Sequence, residues 1–284
     1  MKLDSCYLGD CRDSMRLMLE EGGDRSMTNE QRRERPIIFS GEMVRALLRD
    51  VDPKTQTRRA VKSSLIDCLN WLGGSESDPD DNPGIIIKWG QCTDDGGKVG
   101  RPQWLAYCAE YPEEGCIEIG VGHGNVGDRL RVKEAAWIWC EQRPNGTTKT
   151  GRQKLHYVPL REAPVHYAAD HPRMPMLDVV SPDTGNKWGW RYKVGRFLPR
   201  WASRITLEIV SVRVERLQDI SEADVKAEGI SQMKMIKGLL RKDWAPQNAY
   251  RDLWEQINGN GSWAANPWVR VIEFRRIDKE GSGT

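Results

Sequence analysis

The stretch RITLEIVSVRVERL, Arg204 to Leu217, alternates apolar and polar residues almost throughout and is rich in β-branched side chains. Successive side chains of a strand point to opposite faces, so this pattern predicts a long strand with one face packed and the other polar. A strand of that length needs partners on its edges, and the chain offers several. PIIFS from Pro36, QTRRAV from Gln56 and NPWVRVIEF from Asn266 all read as strands, and GDRLRVKEAAWIW has Gly127-Asp128 as a turn feeding another.

Helical signals are fewer. Ser40 is placed to cap a helix running to about Arg49, with Glu42 in the first turn where the helix dipole favours an anion, and Asp52-Pro53 then stops it. Ser221 caps a second helix over EADVKAEGI, with Asp224 at the position where a capping box usually has Glu. Tyr250 to Ile257 has the apolar spacing of a third. Strands dominate and two or three helices flank them, which predicts an α+β fold built on a small β-barrel.

Breaker residues divide the rest. Residues 1–34 carry the polar run EEGGDRSMTNEQRRER and read as a poorly ordered appendage before a domain over 35–278, with 279–284 as a tail. Two insertions are expected within the domain, at about 62–115, where GGSESDPDDNPG is loop by composition, and at about 135–195, where Pro, Gly, Asn and Asp recur around short strands such as KLHYVPL. The first segment, YLGDCRDSMRLML, resembles the opening of DNA methyltransferases. No D-P-P-Y-type motif follows it, so it reads as a gene remnant rather than an activity.

Charge excludes some partners. Lys plus Arg number 43 and Asp plus Glu 41 in 284 residues, so no global field draws the molecule onto nucleic acid or anionic lipid, and any such partner must be held by a local patch. No membrane-spanning run and no apolar leader are visible, which predicts a cytoplasmic protein of a bacterial host. Seven cysteines without an export signal read as reduced thiols. Cys92, Cys108 and Cys116 lie near His123, but no C-x-x-C occurs, so they read as small apolar residues and no metal is expected. His123, His156, His166 and His171 share no ligand spacing, and GVGHGNVGD lacks the Lys-Ser/Thr of a phosphate-binding loop. No cofactor is expected.

The order RPIIFS, KTQTRR, GDRLRV, PRWASRITLEI, ISEADVKAEGI and NPWV resembles the ASCH domain, the activating-signal-cointegrator-homology family of PUA-like β-barrels, and most closely its phage and prophage branch. The resemblance covers about Arg35–Val61, Gly124–Glu134 and Arg196–Ile277. It implies a PUA-like barrel that binds a nucleoside, nucleotide or single-stranded nucleic acid. One branch of the family is similar to bacterial enzymes that hydrolyse N4-acetylcytidine with a Lys-x-x-Thr motif and a helix glutamate. Those positions fall on Lys54, Thr57 and Glu228, so the resemblance implies a threonine nucleophile, a lysine base and a glutamate acid/base. This chain differs in its two insertions and in the Pro53 that precedes the lysine.

Such chemistry has two physical conditions. A lysine takes a proton from a hydroxyl near neutral pH only where burial or adjacent cations, here Arg58 and Arg59, lower its pKa. And because strand side chains alternate, Lys54 and Thr57 face opposite sides unless the chain bends near Lys54-Thr55. A separate feature is KWGWRYKVGRFLPRWASR, Lys187 to Arg204, in which cations interleave with aromatics and no acidic residue intervenes. Cations neutralise phosphates while aromatic faces stack on bases, so Trp188, Trp190, Arg200, Trp201 and Arg204, together with Arg58 and Arg59, are candidate binding residues. The residues leave three functions open: an amidohydrolase acting on acylated cytosine, a non-catalytic RNA- or DNA-binding module, and a phage protein that engages a host factor.

Overall fold

The computed structural model describes residues 33–72, 84–93, 97–112, 115–174, 178–180, 182, 185–230 and 246–277. Most of the appendage at 1–34, the polar loop at 73–83 and the tail at 279–284 lie outside the described residues. The chain is a mixed α+β protein in which sheets predominate. Its elements run β1 (Glu34–Ile38), α1 (Gly41–Leu47), β2 (Gln56–Ala60), α2 (Ile66–Leu72), β3 (Ile85–Gly90), β4 (Gln103–Cys108), β5 (Ile117–Gly120), β6 (Arg129–Lys133) and β7 (Ala136–Thr147). There follow β8 (Gln153–Pro159), β9 (Val165–Tyr167), β10 (Asp178–Val180), β11 (Lys187–Lys193), β12 (Thr206–Arg216), α3 (Glu222–Ala227), α4 (Pro246–Asn258) and β13 (Trp268–Ile277).

Local chemistry explains the ends of the helices. Ser40 adopts an extended conformation and its side chain accepts the Met43 N–H, which starts α1. The helix ends at Leu47, two residues before the expected Arg49, and Asp52 enters the left-handed region with φ 48° ahead of Pro53. At α3 the capping box forms with Asp224 in place of Glu: Ser221 accepts the Asp224 N–H, and the Asp224 carboxylate accepts the Ser221 N–H. Gly229 follows the Glu228 cap with φ 84°, a conformation glycine adopts without strain.

One five-stranded sheet has the order β1-β6-β12-β13-β2, so β2 is an edge strand paired antiparallel with β13. Among the described residues each sheet is an open run of strands rather than a closed barrel. The chain divides into two compact units. The first is built from Lys54–Arg129 and Glu208–Arg275 with the residues leading to Arg35. In this unit Leu69, Leu72, Trp104, Ile119 and Trp268 pack in one apolar cluster, and Leu217, Val225, Tyr250, Trp254, Val269 and Val271 in another. The expected insertion at 62–115 is more ordered than its loop composition implies. It carries α2 and an antiparallel sheet of order β3-β4-β5, in which Ile86 pairs Tyr107 and Trp89 pairs Trp104.

The second unit holds Pro36–Pro53 and Leu130–Leu207. The stretch expected to be loops with one or two short strands instead forms the sheet β10-β11-β7-β8, with β9 also pairing β7. Its outer strands lack apolar alternation: β8 is mostly exposed, and its backbone pairing with β7 passes a register shift between Pro144 and Thr147. Ala136, Ile138, Cys140, Leu198 and Ala202 form the apolar centre of this unit. Among the described residues, no helix is long and apolar enough to cross a membrane.

Replacing Ser221 by Ala removes the acceptor for the Asp224 N–H. The expected outcome is a loss of about 1 kcal/mol in urea denaturation, with Ser221→Thr close to wild type. An unchanged midpoint in Ser221→Ala would show that the cap does not stabilise α3.

Candidate active site

Just before β2, the backbone of Thr55 is hydrogen-bonded to both α3 and β13. The Thr55 N–H donates to the Ala227 carbonyl at 2.8 Å, and the Thr55 carbonyl accepts from the Phe274 N–H at 2.8 Å, so the ladder with β13 continues past the formal start of β2. Lys54 is thereby fixed at the end of α3. Its Nζ donates to the Glu228 carbonyl at 2.8 Å and to Glu228 Oε2 at 2.6 Å. Both side chains are almost wholly buried. An ammonium at a helix C-terminus satisfies a carbonyl that the helix leaves unpaired and meets the negative end of the dipole.

Arg58 enters the same cluster. Its guanidinium lies 2.5 Å from Glu215 Oε1, 3.2 Å from Asp224 Oδ2 and 3.5 Å from Glu228 Oε1, and 5.9 Å from the centre of the Tyr250 ring. Arg213 closes the network with contacts of 2.8 Å to Glu215 and 2.7 Å to Asp224, and it also pairs with Glu273. Burial alone would raise the Asp224 pKa, but the Ser221 hydrogen bonds and the Arg58 charge outweigh it and hold the carboxyl at about 2. Stability from this group is fully present above its ordinary value of 3.8 and is lost as the pH falls through 2.

Burial dominates at Lys54. Removal from water pushes its pKa below 10.5, more than Glu228 pulls it up, and the Arg59 and Arg58 charges push it down further. The shift is in the direction that a lysine base requires. Tyr250, buried nearby, is pushed well above its ordinary value by burial and by Glu228.

The second condition concerns Thr57, which is 1% exposed. It pairs with Ile272 in the β2–β13 register, whereas Arg58 pairs with Val271, so the pleat sets Thr57 and Arg58 on opposite faces. Lys54 and Arg58, both at even positions, meet at Glu228 as a straight run through Thr55 allows. The structure therefore brings Lys54, Arg58 and Glu228 together. No hydrogen bond joins Thr57 to them among the described residues. Arg59 stands on the Thr57 face, half-buried, with its pKa lowered mainly by burial. Glu215, Asp224 and Arg213 complete the cluster; of these only Asp224 was singled out from the sequence, and only as a capping residue. The alternation of β12 and the capping position of Asp224 are the signals that point to them.

The residues of the 187–204 run belong to the second unit and have divided roles. Trp190 packs edge-on against Trp139 at 5.1 Å and His166 at 4.6 Å. Arg204 holds Glu134 at 2.9 and 3.0 Å and Asp170 at 2.5 Å, and lies 3.9 Å from the centre of the Tyr167 ring. Trp201 packs against the apolar centre of the unit. Trp188 is 38% exposed, and Arg200 is exposed as well. Cys92 and Cys116 have their sulfurs 2.8 Å apart, Cys108 packs against an apolar cluster, and the described residues include no set of three side chains suited to a metal ion.

Glu228→Ala leaves the Lys54 and Arg58 cations buried with one anion fewer, and is expected to cost about 3–5 kcal/mol in urea denaturation at pH 7. The double variant Lys54→Met, Glu228→Gln is expected to lose much less. Equal losses in the two would show that the Lys54–Glu228 contact carries no coupling. Comparison of the chain with protein-family models, with curated proteins and with solved structures finds no match, so the reading of this site rests on its own geometry.

Proposed function

We propose that the first unit is the working part of a PUA-like, ASCH-type protein that binds a nucleoside or nucleotide and hydrolyses an N-acyl group from modified cytosine. The observation that carries this reading is the buried Lys54–Glu228 contact, in which burial lowers the lysine pKa while a carboxylate stays within proton-transfer distance. The order of parts also supports it, since β2, with α3 at its start, is the sheet's edge strand.

The reaction needs a nucleophile, a base and a proton for the departing amine. In this reading the unprotonated Lys54 amine takes the Thr57 hydroxyl proton as Oγ1 bonds to the acyl carbon. Collapse of the tetrahedral species breaks the C–N bond, and the proton returns through Lys54 and Glu228 to the exocyclic amine. Water then attacks the Thr57 ester, again losing its proton to Lys54, and releases the carboxylic acid and a free Thr57. The alternating pleat sets Lys54 and Thr57 on opposite faces, so this reading requires the Lys54 side chain to leave the Glu228 carbonyl and cross the strand when substrate binds.

A second reading, binding without catalysis, is favoured by β11. Trp188 at 38% and Tyr192 at 49% exposure stand four residues apart on one face of that strand, on either side of Trp190. Such a face offers stacking surfaces for the bases of a single strand.

Incubation with N4-acetylcytidine tests the choice. Wild type is expected to release cytidine, and Thr57→Ala and Lys54→Arg are each expected to lose at least about a hundredfold in rate. Because the base must be unprotonated, the rate is expected to rise with pH and to level off below the ordinary lysine pKa. No turnover by wild type, or undiminished turnover by Thr57→Ala, sinks the enzymatic reading. Binding of a single-stranded oligonucleotide without turnover would leave the second.

A further inference from the structure

Cys92 and Cys116 lie 24 residues apart in the chain, yet their thiols meet, with the sulfurs 2.8 Å from one another. Both belong to the first unit, and the backbone around them explains the contact. Cys92 follows β3 at the base of a turn that doubles back on itself. The Gly100 N–H donates to the Cys92 carbonyl at 2.7 Å, the Gln91 side chain donates to the Gly100 carbonyl at 2.9 Å, and Thr93 bridges to Val99. This turn lies against β5: a Cβ at Gly100 would stand 3.2 Å from the Cys92 carbonyl oxygen and 3.5 Å from Glu118 Oε1. Cys116 is the residue immediately before β5.

Access sets these two thiols apart from a structural cysteine. Both are partly exposed, whereas Cys140 is buried, donates its thiol to the Ile138 carbonyl at 3.4 Å and has its pKa pushed up by burial. A small reagent can reach the pair, and Cys140 is inert by comparison. A bond between the pair would also have something to hold. β5 is a four-residue strand at the end of its sheet, and its ladder with β4 passes a register shift between Trp104 and Leu105.

We propose that Cys92 and Cys116 form a thiol–disulfide exchange site, which a small-molecule disulfide closes into an intramolecular bond that clamps the start of β5 to the β3–β4 turn. One cysteine, as thiolate, attacks one sulfur of the reagent, whose S–S bond breaks and whose other half leaves as thiolate. The second cysteine gives its proton to solvent and attacks the protein sulfur of the mixed disulfide, releasing the remaining half. Two cysteine thiols are thereby oxidised, and one reagent disulfide is reduced to two thiols. Because the thiols already touch, the second step is effectively intramolecular and outruns attack by a second reagent molecule. The site involves neither Lys54 nor Thr57, so it stands or falls apart from amide hydrolysis.

Oxidised glutathione is the probe. The reduced full chain, freed of reductant, is incubated with it, quenched in acid and mapped by mass spectrometry without reduction. The expected product is a linked Cys92–Cys116 peptide pair carrying no glutathione, whereas Cys92→Ser and Cys116→Ser each keep glutathione on the remaining cysteine of the pair. In concentrated urea, where the fold no longer holds the thiols together, wild type is expected to yield at least about tenfold less of this link. Amide exchange across Ile117–Gly120 is expected to slow about tenfold on oxidation and to recover on addition of dithiothreitol. Glutathione retained on both cysteines of wild type, a link to another cysteine as the main product, or an equal yield in urea overturns the exchange site. Unchanged amide exchange in the linked protein overturns the clamp.

Discussion

Glu228 ends α3 with its carbonyl and both carboxylate oxygens turned toward cations, Lys54 on one side and Arg58 on the other. Buried charge is expensive unless paired, so this contact constrains whatever surrounds it. Arg58 recruits Glu215 from β12 and Asp224 from the first turn of α3, and Arg213 ties both to Glu273 on β13. Four elements are thus locked in register by one network. The entry of β2, the pitch of α3 and the position of β13 follow from it. The capping box serves the same network, because the Asp224 carboxylate that closes it also faces Arg58 and Arg213.

β2 is buried on both faces at Gln56, Thr57 and Arg58. Lys54 and Arg58, at even positions, meet the carboxylates of Glu228, Glu215 and Asp224. Thr57 and Arg59, at odd positions, pair with Ile272 and Arg270, and the Glu228 charge also acts on Arg59. Chemistry that uses Lys54 with Thr57 must therefore cross from one face of the strand to the other.

Much of this frame was legible in the sequence. The alternation of Arg204–Leu217, the Ser40 and Ser221 caps and the terminal NPWVRVIEF strand all appear close to where their patterns put them, because each is written in local periodicity or capping chemistry. Lys54 and Glu228 were found through the family resemblance, and the structure brings them together. What was missed is non-local. The β3-β4-β5 sheet is made of short runs that stabilise one another only as a set, and β8 and β10 pair through the backbone without an apolar stripe. The aromatic-basic run was read as one surface, but Trp190, Trp201 and Arg204 turn to internal partners.

The central claim is that burial makes Lys54 a lysine with a depressed pKa despite its glutamate partner. The most direct measurement is an NMR titration of the Lys54 side chain with ε-carbon-labelled lysine, assigned by Lys54→Arg. The expected midpoint lies below the ordinary value of 10.5, and lower still in Glu228→Gln, since the carboxylate raises it. A midpoint at or above the ordinary value would contradict the account and leave the Lys54–Glu228 contact as an ion pair with no part in catalysis.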